Sequence, residues 1–264
     1  MKLATERMRA HVDGNVGWMI FNNPARHNAL SLEMWQGIGD ILEAFQADDQ
    51  VRVVVMRGAG GKAFVSGADI SEFDQHRANA EQRRSYAETS NRATHWLARF
   101  NKPLLALIEG YCIGGGLATA LSADIRFCTP DSTFGIPAAR LGLGYEYGGL
   151  AKLARVVGPA RARDIMFSAR FMPADEAHGM GLVNFVHSRE DIEANVLEYA
   201  ERIARNAPLT VRAAKAAVNA FEGGAQPDDI EQVKQMVDAC FDSDDYKEGR
   251  RAFGEKRSPK FEGR

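Results

Sequence analysis

A single carboxylate, Glu146, stands between Tyr145 and Tyr147 in the segment LGLGYEYGGL (141–150), with glycines on both sides. A carboxyl group buried between aromatic rings has a raised pKa and is suited to take a proton and return it. The same residue facing water would serve solubility, or would bond a neighbouring tyrosine to shape the loop. The phenols of Tyr145 and Tyr147 are candidate proton or hydrogen-bond donors, although loop tyrosines more often only pack their rings. Arg140 is a candidate partner for Glu146 or for an acidic substrate group.

Two glycine-containing stretches offer a different chemistry. In FVSGADISEF (64–73), Gly67 frees the chain to turn, so the N–H of Ala68 can point into a cleft. Ser66 lacks the GxSxG frame of an activated nucleophile, because Phe64 and Ala68 occupy the glycine positions. Asp69, with Glu72 three residues later, reads as a helix N-cap and its capping-box partner. In EGYCIGGGLATALSAD (109–124), three glycines precede a short apolar helix. Neither a Walker loop nor a dinucleotide fingerprint is present. Two such turns can each give one N–H to the same oxygen, which stabilises the enolate of a thioester. Losing one such donor costs about 2.7–4 kcal/mol of barrier in comparable sites. Close helix–strand packing is the plainer explanation of the glycines. Asp124 reads as a structural cap or pair, and the six histidines show no metal-ligand spacing.

The elements that must position these groups alternate in type. Short apolar runs at 16–21, 51–56, 103–108, 124–128 and 182–186 read as strands. Residues 31–45 read as a helix capped by Ser31, with Met34, Ile38, Ile41, Leu42 and Phe45 on one stripe. Residues 80–100 read as a second helix, with Tyr86, Ala93, Trp96, Leu97 and Phe100 toward the core. The pattern is α/β. Beyond about residue 190 only amphipathic helices follow, punctuated by Pro208 and GGAQP (223–227). The predicted division is a core over 1–195 and a helical region over 196–264. Met236, Val237, Phe241 and Phe253 are expected to pack on another subunit.

A chain of 264 residues with net charge −2 lacks the basic excess of a nucleic-acid binder. No apolar run spans a membrane, and no secretory signal is visible. Three distant cysteines suit a reducing, cytoplasmic setting better than a disulfide framework.

Six ordered blocks resemble the enoyl-CoA hydratase/isomerase, or crotonase, superfamily over nearly the whole chain. They are NNPARHNALS (22–31), KAFVSGADI (62–70), KPLLALIEGYCIGGGLATALSADIRF (102–127), TFGIPAARLGL (133–143), GPARARDIMFSARFMPADEAHGMGLVNFV (158–186) and FGEKRSPKFEG (253–263). The resemblance implies a spiral of ββα repeats with a helical C-terminal region that forms trimers or dimers of trimers. It implies that the N–H groups of Ala68 and Gly115 receive the thioester oxygen of an acyl-CoA. It places Ala25, Arg26 and His27 along the adenine end of CoA, Lys62 near its phosphates, and Asp69 and Ile70 beside the substrate. Phe253 and Lys256 resemble C-terminal positions that reach CoA across a subunit boundary. Coenzyme A enters as part of the substrate, and no permanent cofactor or metal is implied.

The sequence departs from the hydratase pattern at both water-activating glutamates, which are Ala118 and Ala138 here. A methyl group neither accepts nor donates a proton. Glu146 fills a third position, where single-base isomerases of this family carry a carboxylate. The expected activity is proton transfer between carbons 2 and 4 of an enoyl-CoA. Hydration through other groups, and acyl-CoA binding with little turnover, remain the alternatives. The segment 72–97 is expected to line the acyl pocket.

Overall fold

β-Branched runs flanked by helices settle as parallel strands, because both faces then find apolar cover. The computed structural model describes residues 1, 3–69, 71 and 80–264, apart from the side chains of residues 80, 82, 83 and 85–89. Ile70, Glu72 and the Tyr86 side chain therefore lie outside the described residues, as does part of the expected acyl-pocket segment.

Among the described residues ten strands form two sheets: β1 (Met8–Asp13), β2 (Val16–Phe21), β3 (Val53–Gly58), β4 (Ala63–Val65), β5 (Leu104–Ile108), β6 (Tyr111–Ile113), β7 (Ile125–Cys128), β8 (Thr133–Gly135), β9 (Met172–Pro173) and β10 (Phe185–Val186). The larger sheet runs β1-β2-β3-β5-β7-β10 and the smaller runs β4-β6-β8-β9. Each turn of chain lays one strand in each sheet: β3 then β4, β5 then β6, β7 then β8. Within each sheet these neighbours pair in parallel. This is the ββα spiral that the sequence implied. The three-residue strands of the smaller sheet escape notice in the sequence because they are too short to show a period.

Helices α1 (Leu32–Ala47) and α2 (Ala80–Arg99) cover one face of the large sheet. The Ser31 hydroxyl accepts the Met34 N–H at 3.4 Å, capping α1. The stripe from Met34 to Phe45 is buried, with Ala93, Leu97 and Phe100 beside it and Trp96 half-buried against it. Six more helices follow the GGG turn and the later strands: α3 (Gly115–Ala120), α4 (Tyr147–Val157), α5 (Pro159–Ser168), α6 (Ala174–Gly179), α7 (Ile192–Ala204) and α8 (Pro208–Glu222). The other face of the sheet is closed by α7, through Ile192, Val196, Ala200 and Ala204 against Trp18, Val53, Val55, Leu105 and Leu107. The expected division at residue 195 thus falls inside α7, whose apolar side belongs to the core.

After α8 come α9 (Pro227–Asp242) and α10 (Asp244–Glu255). No residue of α9 is buried, and Val218, Phe221, Ile230, Val237, Phe241 and Phe253 are exposed along α8–α10. The tail then folds back on the chain. Asp245 accepts the N–H groups of Glu262 at 2.7 Å and Gly263 at 2.8 Å, and Arg52 donates to the Phe261 carbonyl at 2.6 Å. Among the described residues no helix is long and apolar enough to cross a membrane.

Candidate active site

The segment after β2 is anchored before it meets the glycine turns. Asn28 is fully buried in a left-handed conformation (φ 56°). Its amide donates to the carbonyls of Ala59 (3.0 Å) and Ala63 (2.8 Å) and accepts the Asn23 N–H (2.8 Å). A small side chain with both a donor and an acceptor can do this from a left-handed backbone, which few residue types tolerate. The next residues run parallel to the first glycine turn. Ser66 N–H donates to the His27 carbonyl, Leu30 N–H to the Gly67 carbonyl at 2.8 Å, and Asp69 N–H to the Leu30 carbonyl at 2.9 Å. In this parallel bridge, Leu30 uses both of its groups on the neighbours of Ala68. The Ala68 N–H therefore points away from Leu30, and it finds no acceptor among the described residues.

The second turn brings Gly115 against it. The three glycines do three different jobs. Gly114 has φ +53° and is held by the Gly135 carbonyl at 2.8 Å. Gly115 is the first residue of α3, where an N–H has no intrahelical acceptor. A Cβ on Gly115 would sit 3.7 Å from the Ala68 nitrogen, so the two residues lie against each other. Gly116 is the packing glycine: a Cβ there would meet the Val65 carbonyl oxygen at 2.0 Å. The packing explanation of the run therefore holds for its last glycine, while the first two shape the turn. Gly67, at φ +120°, completes the opposite wall.

Arg26 and Asp69 are brought together at the mouth. Asp69 is 6% exposed and accepts from Arg26 Nη1 at 3.0 Å and from the Ser71 hydroxyl at 2.7 Å. Burial disfavours its charge, but bonds from the Ser71 side chain and N–H, with the Arg26 charge, hold its carboxyl below the usual range. Asp69 bonds the Ser71 N–H at 3.0 Å, two residues on. It thus ties this turn to Arg26, a role the capping-box reading did not foresee. The folded-state pKa is depressed, so this contribution is present at neutral pH and fades as pH falls through that value.

Ala25, Arg26, His27 and Lys62 are exposed along the same edge. The His27 ring meets Tyr111 edge-on at 6.0 Å, and Tyr111 N–H donates to the Lys62 carbonyl at 3.2 Å. Tyr111 was not singled out in the sequence; its exposure at the start of a strand is visible only in the fold.

The carboxylate positions lie on the other side of the turn. Ala138 is buried in a short 3-10 helix, Pro137–Leu141, and Ala118 is half-buried on α3. The carbonyl of Ala118 accepts the Ser122 hydroxyl at 3.4 Å, and Ser122 accepts from Lys152 Nζ at 3.2 Å. Glu146 is the N-cap residue of α4, with extended backbone (φ −71°, ψ 147°). Its side chain is exposed, contrary to the expected burial between aromatic rings. Tyr145 packs against the core, whereas Tyr147 is the first residue of α4, where the extended chain turns into the helix. Tyr147 is 83% exposed. The Arg140 guanidinium lies over the Phe171 ring at 5.6 Å. On α10, the Phe253 ring is 88% exposed and Lys256 ends the helix in a left-handed conformation. Asp124 is structural, as the sequence indicated: it bonds the Leu104 N–H at 2.7 Å and Lys215 at 2.9 Å. No group of three or more potential metal ligands occurs among the described residues.

A backbone N–H without an acceptor can bind an oxygen on which negative charge grows. A family model described as enoyl-CoA hydratase/isomerase matches residues 11–264. The short-chain-enoyl-CoA hydratase of Clostridium acetobutylicum is 34% identical, covering 93% of each chain. The crotonyl-CoA hydratase of Syntrophomonas wolfei is 33% identical over 98% of this chain and 99% of its own. Among solved structures, an enoyl-CoA hydratase/carnithine racemase of Magnetospirillum magneticum superposes with a TM-score of 0.93, at 37% identity over 99% of this chain and 97% of its own.

The three-glycine geometry makes a stability prediction. Gly116→Ala forces the α3–β4 contact apart and costs at least the 1–3 kcal/mol, roughly, of core overpacking. Gly115→Ala adds a methyl at ordinary contact distance and leaves stability nearly unchanged. Denaturant midpoints of the two variants check this, and equal midpoints would contradict the assignment of roles.

Proposed function

The chain belongs to the enoyl-CoA hydratase/isomerase family, and from that premise we propose that it transfers a proton within an enoyl-CoA thioester through Glu146. The supporting observation is that Ala68 and Gly115 lie against each other while alanine stands at both hydratase glutamate positions. The thioester oxygen lies between the N–H groups of Ala68 and Gly115. Glu146 removes a proton from carbon 2 of a 3-enoyl thioester, and the electron pair moves onto that oxygen as a dienolate. The same carboxyl then returns the proton to carbon 4, so the double bond ends between carbons 2 and 3 and no water is consumed. One carboxylate suffices for this reaction, whereas hydration must position and activate a water as well. Substrate binding supplies the dry surroundings that the exposed Glu146 lacks in the free chain. Arg26, His27 and Lys62 offer charge and hydrogen bonds to the CoA end.

The names of the hydratase relatives favour a second reading, in which Glu146 and a tyrosine handle water. Comparing crotonyl-CoA hydration with 3-enoyl-CoA isomerisation at equal enzyme concentration separates the two. Tight acyl-CoA binding with neither reaction, measured by calorimetry, would instead mark a binding protein. We further propose that the exposed apolar face of α8–α10 is covered by copies of the chain, as a trimer or dimer of trimers. Light scattering is expected to give three or six times 29.0 kDa, and the mass of one chain would contradict this.

The assignment of Glu146 predicts that protein in heavy water exchanges deuterium into a 3-enoyl-CoA. In Glu146→Gln this exchange drops by about 10²–10⁴-fold, the usual worth of a general acid–base group. Exchange at the wild-type rate in that variant would remove Glu146 from the mechanism.

A further inference from the structure

The glycine turns follow β4 and β6 of the smaller sheet, and a second feature lies at the starts of β3 and β5 in the larger one. Where these two strands begin, the ends of α7 and the tail enclose a cavity of about 320 Å³. That volume is at the lower end of small-molecule sites. Its walls carry the side chains of Arg52, Lys102, Arg212 and Arg264 against only Asp49 and Glu262. Basic side chains thus outnumber acidic ones among the lining residues.

How these cations are held matters more than their number. Arg264 pairs with Glu262. Arg52, Lys102 and Arg212 have no carboxylate within ion-pair distance among the described residues. Lys102 is 6% exposed, and its ammonium donates to the carbonyls of Phe45 and Asp48, each at 2.7 Å. One of its three N–H bonds is left over. Arg52 spends two donors on the carbonyls of Ala204 (3.1 Å) and Phe261 (2.6 Å), and Arg212 donates to the Pro208 carbonyl at 3.4 Å. Carbonyls satisfy hydrogen bonds but do not neutralise charge. Burial, with the nearby Arg212 charge as a lesser contribution, holds Lys102 below the usual lysine range despite the opposing Asp49. The first turn of α8 adds to the field. Its N-cap is Ala207, which makes no side-chain cap bond, and Pro208 opens the helix beside the cavity.

We propose that this cavity is a binding site for a phosphate dianion, free or carried on a small molecule, distinct from the acyl-CoA site. The guanidinium groups of Arg52 and Arg212 beside the Lys102 ammonium suit the oxygens of such an anion. The occupant bridges the strand ends, α8 and the tail at Gly263, so its binding stabilises the fold by mass action.

The experiment is titration calorimetry of the full chain with inorganic phosphate and, separately, glycerol phosphate, at constant ionic strength with chloride as the reference. Thermal unfolding is followed in the same buffers. The expected result is one saturable site per chain and a higher melting temperature in phosphate. Tighter binding of glycerol phosphate identifies a carried phosphate, and tighter binding of inorganic phosphate identifies the free ion. Arg212→Gln, which keeps side-chain length, is expected to weaken binding at least tenfold and abolish the melting shift. Arg161→Ala, an exposed arginine elsewhere, makes the same change of net charge and is expected to leave both intact. The proposal is overturned by the absence of a saturable site, or by binding and a melting shift that survive Arg212→Gln.

Discussion

One parallel bridge between Leu30 and Ala68 sets what this chain can do. Because Leu30 bonds the residues on either side of Ala68, the Ala68 N–H is turned outward and left without an acceptor. An orphan donor in a part-buried turn is a standing cost unless water or a ligand meets it. The fold keeps it there by fixing both sides: Asn28 locks the strand that carries Leu30, and Gly114 delivers the start of α3 to the same spot. Asp69 then pins the turn to Arg26 and Ser71. The rest of the spiral serves chiefly to hold these two loops in contact.

Charge stabilisation and proton movement are separable, and the proposed reaction assigns them to different parts of this chain. The N–H groups of Ala68 and Gly115 belong to the backbone and do not involve the side chains at positions 118 and 138. Alanine at both positions removes the groups that would hold a water but does not disturb the glycine turns. Relatives named as hydratases share the fold and about a third of the residues. Family membership therefore fixes the scaffold, while the reaction follows from which side chains stand around the thioester.

Much of this arrangement was legible in the sequence, and the failures have physical causes. The long β-branched runs and the Met34–Phe45 stripe declared themselves because burial on a regular element imposes a period. Asp124 was readable as structural from its place after the glycine-rich helix, as a cap or pair. The strands of the smaller sheet were not, since three residues cannot establish alternation. The surroundings of Glu146 were misread because two flanking aromatics look like a pocket in one dimension. Tyr145 packs against the core, whereas Tyr147 already belongs to α4, where the chain has changed direction and the ring stands exposed. Tyr111, the Asp69–Arg26 pair and the Ser122–Lys152 contact depend on segments far apart in the chain, which no local pattern reveals. The exposed phenylalanines of α8–α10 kept helical spacing, but spacing cannot say whether the apolar side meets its own core or another copy.

The central claim is that Ala68 and Gly115 together polarise a thioester carbonyl. The most direct test is the infrared difference spectrum of an unreactive acyl-CoA thioester, carrying ¹³C at its carbonyl, bound to the chain. Two convergent N–H donors predict a carbonyl band at lower frequency than the same thioester shows in water. A bound thioester with its carbonyl band at the aqueous position or higher would contradict the account.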